Sequence, residues 1–97
     1  MTVLEIATFR LRADASESAY LNADQEVERT HVAQQPGFLS RQIDSTDDGQ
    51  RIVVVHWADA ASAEASMATF MQAPATADFM ALVDADTMAM TRYTLRD

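Results

Sequence analysis

The chain has 97 residues, enough for one domain with a small core, and 15 acidic against 7 basic residues give it a formal net charge of −8. All seven basic residues are Arg; with no Lys and no Cys there is no Schiff-base lysine, P-loop, thiolate nucleophile, disulfide or Cys-ligated metal. The acidic balance argues against nucleic acid and against an anionic membrane surface as partners.

Residues from about 3 to 11 read as a strand, in which Val3, Ala7, Phe9 and Leu11 alternate with Leu4, Ile6 and Thr8. Asp14 with Glu17 forms a capping-box signal, and the helix it opens is expected to run to about Gln34 or Gln35. Its apolar stripe is thin: Tyr20, Ala23, Val27 and His31. Pro36-Gly37 stops it. Phe38, Leu39 and Ile43 predict a second strand, and Asp48-Gly49 a hairpin turn. Ile52 to Trp57 is the strongest strand signal, β-branched and apolar on both faces. Asp59 is a plausible N-cap for a helix over residues 60 to 72. Pro74 breaks that helix, and a short helical segment follows, contributing Phe79, Met80, Leu82 and Val83 to the core. Residues from about 87 to 95 close the chain as a fourth strand, Met88 and Met90 on one face and Ala89, Thr91, Tyr93 and Leu95 on the other.

The order strand, helix, strand, strand, helix, strand predicts an α+β fold: a ferredoxin-like βαββαβ sandwich with a four-stranded antiparallel sheet, one domain over residues 1–97. The first and third strands are apolar on both faces. A monomer would leave one of those faces as a broad hydrophobic patch, so a homodimer packed through its sheet faces is expected. Met1 to Glu5 meets a charge too early for a signal peptide, and no run approaches the roughly 18 apolar residues of a membrane span. A cytoplasmic protein with no membrane association is therefore expected.

Several motifs then agree in order and spacing. Pro36-Gly37-Phe38 follows the first helix, a hydrophobic strand ends in Trp57, and an acid-capped helix begins at Asp59. Phe70-Met71-Gln72-Ala73-Pro74 closes that helix, and Asp78-Phe79-Met80-Ala81-Leu82-Val83 precedes the last strand. Over nearly its whole length the chain resembles the antibiotic-biosynthesis-monooxygenase-like (ABM) family of dimeric α+β barrels. The resemblance implies a homodimer, a pocket between helices and sheet, and a cofactor-independent monooxygenase acting on a small aromatic or cyclic hydrophobic substrate. The alternative is a non-catalytic small-molecule-binding or stress-related protein of the same shape. The haem-degrading branch of the family carries its iron-ligating His near the end of the second helical region. Residues 60 to 86 of this chain contain neither His nor Trp.

Tyr20, Asp24, Val27 and His31 share one helical stripe. If it faces the sheet, Tyr20 and Asp24 can line a substrate pocket and His31 can serve as catalytic base. The plain structural reading of His31 is a cation at a helix C-terminus, paired with Glu28. His56 is the second candidate base, on a strand face whose direction the sequence leaves open; an ordinary core histidine is the other reading. Trp57, of opposite parity, is a candidate substrate-binding residue or a core anchor. Met67, Met71, Met80, Met88 and Met90 read first as core residues, and second as the adaptable lining of a pocket for a flat hydrophobic molecule. No metal is expected, because the two histidines lie on different elements without ligand spacing, and no cofactor is expected.

Overall fold

Apolar side chains make β1 (Val3–Leu11) one of the two central strands of the sheet in the computed structural model, which describes residues 1–96. Seven further elements follow. They are α1 (Glu17–Thr30), a 3-10 turn (Val32–Gln34), β2 (Phe38–Ser45), β3 (Arg51–Trp57), α2 (Ala60–Phe70), α3 (Pro74–Leu82) and β4 (Val83–Thr94). The strand order is β2-β3-β1-β4, and every pairing is antiparallel. The expected ferredoxin-like α+β sandwich is the one observed.

The register divides the sheet into two unlike faces. Glu5 stands opposite Val55 and Arg92, Ala7 opposite Val53 and Met90, and Val3 opposite Trp57 and Thr94. This face meets the helices, and its Val3, Phe9, Val53, Val55 and Trp57 are buried. The opposite face carries Leu4, Ile6 and Thr8 from β1 and Ile52, Val54 and His56 from β3, all half-buried. Ser40, Gln42 and Asp44 flank them on β2, and Tyr93, Thr91 and Ala89 on β4. No helix crosses a membrane length: none among the described residues is long and apolar enough to span one.

Three local predictions shift. The first helix starts at Glu17 rather than Asp14. Ser16 is its N-cap, with Oγ accepting from the Ala19 amide, while Glu17 pairs with Arg51 instead of closing a capping box with Asp14. The same helix ends at Thr30. His31 is its C-cap with φ −124°, and the expected last turn becomes the 3-10 turn. The fourth strand begins earlier than expected, at Val83, because Val83 and Asp84 already pair with Leu11 and Arg10 ahead of an irregularity at residues 85–88. There the Arg10 amide donates to Thr87 Oγ1 at 2.8 Å in place of a backbone partner.

The other turn and cap signals hold. Gly49, at φ +93°, sits at the end of a turn closed by Gly49 N to Thr46 O and Thr46 N to Gln50 O, so a short hairpin joins β2 to β3. Asp59 caps α2 through the Ser62 amide at 2.8 Å. Pro74 occupies the first turn of α3, where its missing N–H costs nothing. Gly37, at φ +84°, brings the chain into β2 so close to α2 that a Cβ there would lie 2.1 Å from Ser62 Oγ.

Candidate ligand cavity

Between the helix-side sheet face and α2 and α3 lies a cavity of about 160 Å³. β1 and β3 form its floor through Ala7, Phe9, Val53, Val55 and Trp57. The helices supply Met67, Phe70, Phe79 and Met80, the residue after α2 supplies Met71, and β4 supplies Met88 and Met90. All five methionines singled out in the sequence therefore meet at this one place. Met71 and Met90 are largely exposed and form the rim, while Met80 and Met88 pack on the core below. Unbranched thioether side chains adapt to a ligand's shape at little cost. Met80 and Met88 thus meet the core reading, and the exposed Met67, Met71 and Met90 border the cavity.

Three polar side chains touch this apolar space: Glu5, Arg41 and Ser66. Arg41 is fully engaged behind the wall. Its guanidinium binds both Asp24 oxygens, at 2.6 and 2.8 Å, and Glu28 at 3.4 Å. The pair is nearly dry, with side-chain exposures of 3% for Arg41 and 5% for Asp24. Burial opposes the Arg41 charge, but the Asp24 carboxylate more than offsets this and holds its pKa above the ordinary value. Glu5, 8% exposed, stands directly across the ladder from Arg92, and Arg92 Nη2 donates to Glu5 Oε2 at 3.2 Å. Arg92 Nη1 in turn reaches Glu64 on α2 at 3.4 Å. Trp57 is 1% exposed, and nothing among the described residues accepts its indole N–H. A buried donor left unpaired costs about 1–3 kcal/mol, so this N–H is an uncompensated group packed in the wall beside the cavity.

Of the five residues proposed from the sequence, only Trp57 lines this cavity. Tyr20 does face the sheet, yet it is core. Its ring packs against Phe9 and Phe79 at centroid distances of 6.0 and 5.9 Å, with the Arg51 guanidinium 5.0 Å from its centroid. Burial, and then the Asp24 charge, push its pKa up to about 12. Asp24 is consumed by Arg41. His31 is buried behind the cavity wall, with Nε2 3.4 Å from Ser66 O and Nδ1 3.5 Å from Gln35 Nε2. An Nε2–H tautomer serves both contacts and leaves the ring no free lone pair for a substrate. The expected pairing of His31 with Glu28 does not form, because Glu28 turns to Arg41. His56 shares the outer face with Ile52 and Val54, so strand alternation puts it on the far side of the sheet from the cavity. The two histidines are not brought together.

Glu5 and Arg41 were missed. A signal for Glu5 was nevertheless present: it has the same parity as Val3, Ala7, Phe9 and Leu11, a charge on an otherwise apolar strand face. Among the described residues no group of His, Cys, Asp and Glu could hold a metal ion.

No family model matches the sequence, and no curated protein does. Solved structures do. SnoaB, a cofactor-independent oxygenase from Streptomyces nogalater, superposes with a TM-score of 0.80 at 18% identity, over 99% of this chain and 94% of that one. An antibiotic biosynthesis monooxygenase structure matches with a TM-score of 0.70 at 13% identity, over 98% of this chain and 99% of that one. The chain has the fold of these structures. Rv0793 from Mycobacterium tuberculosis shares it too, with a TM-score of 0.67 at 18% identity over 100% of this chain and 97% of that one. At such identities the likeness concerns architecture. The cavity between sheet and helices is lined by this chain's own side chains.

Proposed function

We propose that the chain is one domain, residues 1–97, that acts as a cytoplasmic homodimer and binds a small, flat, hydrophobic molecule in the methionine-lined cavity. The observation that carries this reading is the convergence of five methionines with Phe9, Phe70, Phe79 and Trp57 around a space that opens past exposed Met71 and Met90. A cavity of this volume holds one aromatic ring, since a dry apolar cavity of about 150 Å³ already accommodates benzene. The open rim lets a longer substituent project outward. The ligand is thus a substituted single ring or a small fused one.

The chemistry that best fits such a ligand, given the fold shared with a cofactor-independent oxygenase, is oxygenation of a phenol-type ring without metal or flavin. The phenolate passes electrons to O₂ and a C–O bond forms at a ring carbon bearing hydrogen. Two hydrogens and one oxygen atom then leave as water, and a quinone carbonyl remains. The protein's share is to hold the ring out of water and in position for O₂. One observation favours a second reading, a non-catalytic binder: neither imidazole lines the cavity, so no histidine stands ready as base.

Trp57 is the only tryptophan and sits on the cavity floor, so its fluorescence reports occupancy directly. Titration with 1,4-dihydroxybenzene and its alkylated relatives is expected to change that emission saturably, with oxygen uptake above the protein-free rate. Saturable binding with uptake at the protein-free rate leaves only the binder reading. The absence of any saturable change across the panel overturns both.

A further inference from the structure

Glu5 is the odd residue of the cavity. The other helix-facing positions of β1 are Val3, Ala7, Phe9 and Leu11, and every one is apolar. A carboxylate at this depth costs several kcal/mol to desolvate, and a buried ion pair is often no more stable than well-packed hydrophobic residues of the same volume. Packing alone therefore gives no reason for Glu5. Arg92 satisfies one of its oxygens, Oε2, and is itself held from the far side by Glu64. The other oxygen, Oε1, accepts no hydrogen bond among the described residues. The structure thus holds a carboxylate with spare acceptor capacity among the residues lining an otherwise apolar cavity.

Its position relative to Trp57 is set by the ladder. Glu5 is paired with Val55, and Trp57 lies two residues further along β3 on the same face. Diagonal neighbours of this kind have backbones roughly 7–8 Å apart, so the two residues border the same part of the cavity. Both residues line the cavity, Trp57 through its ring and Glu5 as the charged residue among apolar neighbours.

We propose that Glu5 is the specificity residue of this cavity, accepting a hydrogen bond from a neutral hydroxyl on the bound ring. The inference rests on the cavity being a ligand site, as proposed above. It narrows the ligand to phenol-type molecules and excludes two classes of similar shape. Aryl ethers and plain hydrocarbons leave Oε1 unmatched. Aromatic carboxylates bring a second negative charge against a desolvated one. Arg92 and Glu64 act as positioning residues, since they touch Glu5 or each other rather than the ring.

The test compares 4-ethylphenol, 4-ethylanisole and 4-ethylbenzoate by chemical-shift titration of the ¹⁵N-labelled full chain. Wild type is expected to bind the phenol about tenfold or more tighter than the ether, the scale of one hydrogen bond to a charged acceptor, and to reject the benzoate. In Glu5→Leu the preference for phenol over ether disappears while ether binding persists. In Glu5→Gln the preference shrinks and the benzoate gains entry. The Gln variant keeps the shape and the contact with Arg92, so it serves if the Leu variant does not fold. Equal binding of phenol and ether to wild type overturns the role of Glu5 and leaves the cavity reading intact. An unchanged preference in both variants does the same. If neither ring perturbs the cavity resonances of wild type, the cavity reading falls and this inference falls with it.

Discussion

A tyrosine at a helical spacing that points toward a sheet is as ready to be core as to be a ligand contact, and Tyr20 is core. Its hydroxyl is buried with no partner among the described residues, and its ring is enclosed by Phe9, Phe79 and Arg51. Two outcomes follow at this residue. Its folded pKa, pushed up to about 12, lies above the unfolded value of about 10, so the neutral form is the one folding favours. The associated stability is complete below pH 10 and is lost as pH rises toward 12, by up to about 2 kcal/mol. Thermal melts between pH 9 and 12 should show this decline in wild type and a shallower one in Tyr20→Phe. At pH 7 the Phe variant should be as stable as wild type or slightly more so, because it removes an unpaired buried hydroxyl without opening a cavity. A loss above about 2 kcal/mol would mean that the hydroxyl has a partner in solution.

At the scale of elements, α1 is held to β2 by one buried ion pair. The hydrophobic stripe of the helix is thin, and only Tyr20, Asp24 and Val27 are buried along it. Arg41 on β2 reaches across to Asp24, so the helix docks through a charge as well as through packing. Truncating one partner leaves the other charged and dry, which costs about 3–5 kcal/mol, whereas replacing both with apolar groups costs far less. Urea denaturation should therefore rank Asp24→Ala as strongly destabilised, with Glu28 at 3.4 Å as partial compensation. The double variant Asp24→Leu, Arg41→Met should recover most of the loss. Equal destabilisation of the single and double variants would show that the pair contributes by volume alone. The start of the same helix shows why its boundary was misread. Asp14 and Ser16 are both competent caps, and Glu17 could complete a box only with Asp14. Arg51, distant in sequence, takes the Glu17 carboxylate, and the cap passes to Ser16.

At the scale of the whole molecule the outer sheet face decides how the chain is presented to its surroundings. Leu4, Ile6, Ile52 and Val54 form a two-strand apolar field with His56 and Thr8 at its ends, and no helix among the described residues covers it. Tyr93 beside it is 53% exposed. A patch of this kind is rare on monomers, and a second copy of the same face is the occupant that the proposed homodimer supplies. Light scattering at micromolar concentration should give twice the 10.7 kDa chain mass. Val54→Asp, in the middle of the field, should give the single-chain mass with the fold retained. A wild-type monomer at that concentration would sink the homodimer without touching the cavity. His56 is then a residue of this face, which is the physical reason it cannot act in the cavity on the other side.

The fold was legible from local chemistry. Period-2 alternation marked the strands, Asp48-Gly49 the hairpin and Asp59 the start of the second helix, whereas Pro36-Gly37 marked the entry to β2 rather than the end of the first helix, which stops at Thr30. Each of these reports a preference of the chain over a few residues, and such preferences survive folding when tertiary contacts agree with them. Even the methionines had the right spacing to be noticed. The candidate site was less legible, because a site is a relation between elements. Strand parity separates His56 from Trp57 but cannot say which of them meets the helices. Helical spacing groups Tyr20, Asp24 and His31 but cannot say that Phe79, Arg41 and Ser66 will occupy them. The sequence by itself determined the βαββαβ order, the apolar character of both central strands and the inventory of groups available for chemistry. Only the tertiary structure decided which face of the sheet the helices cover. That choice brings Glu5, Trp57 and five methionines to one cavity and sends His56 to the opposite side of the protein.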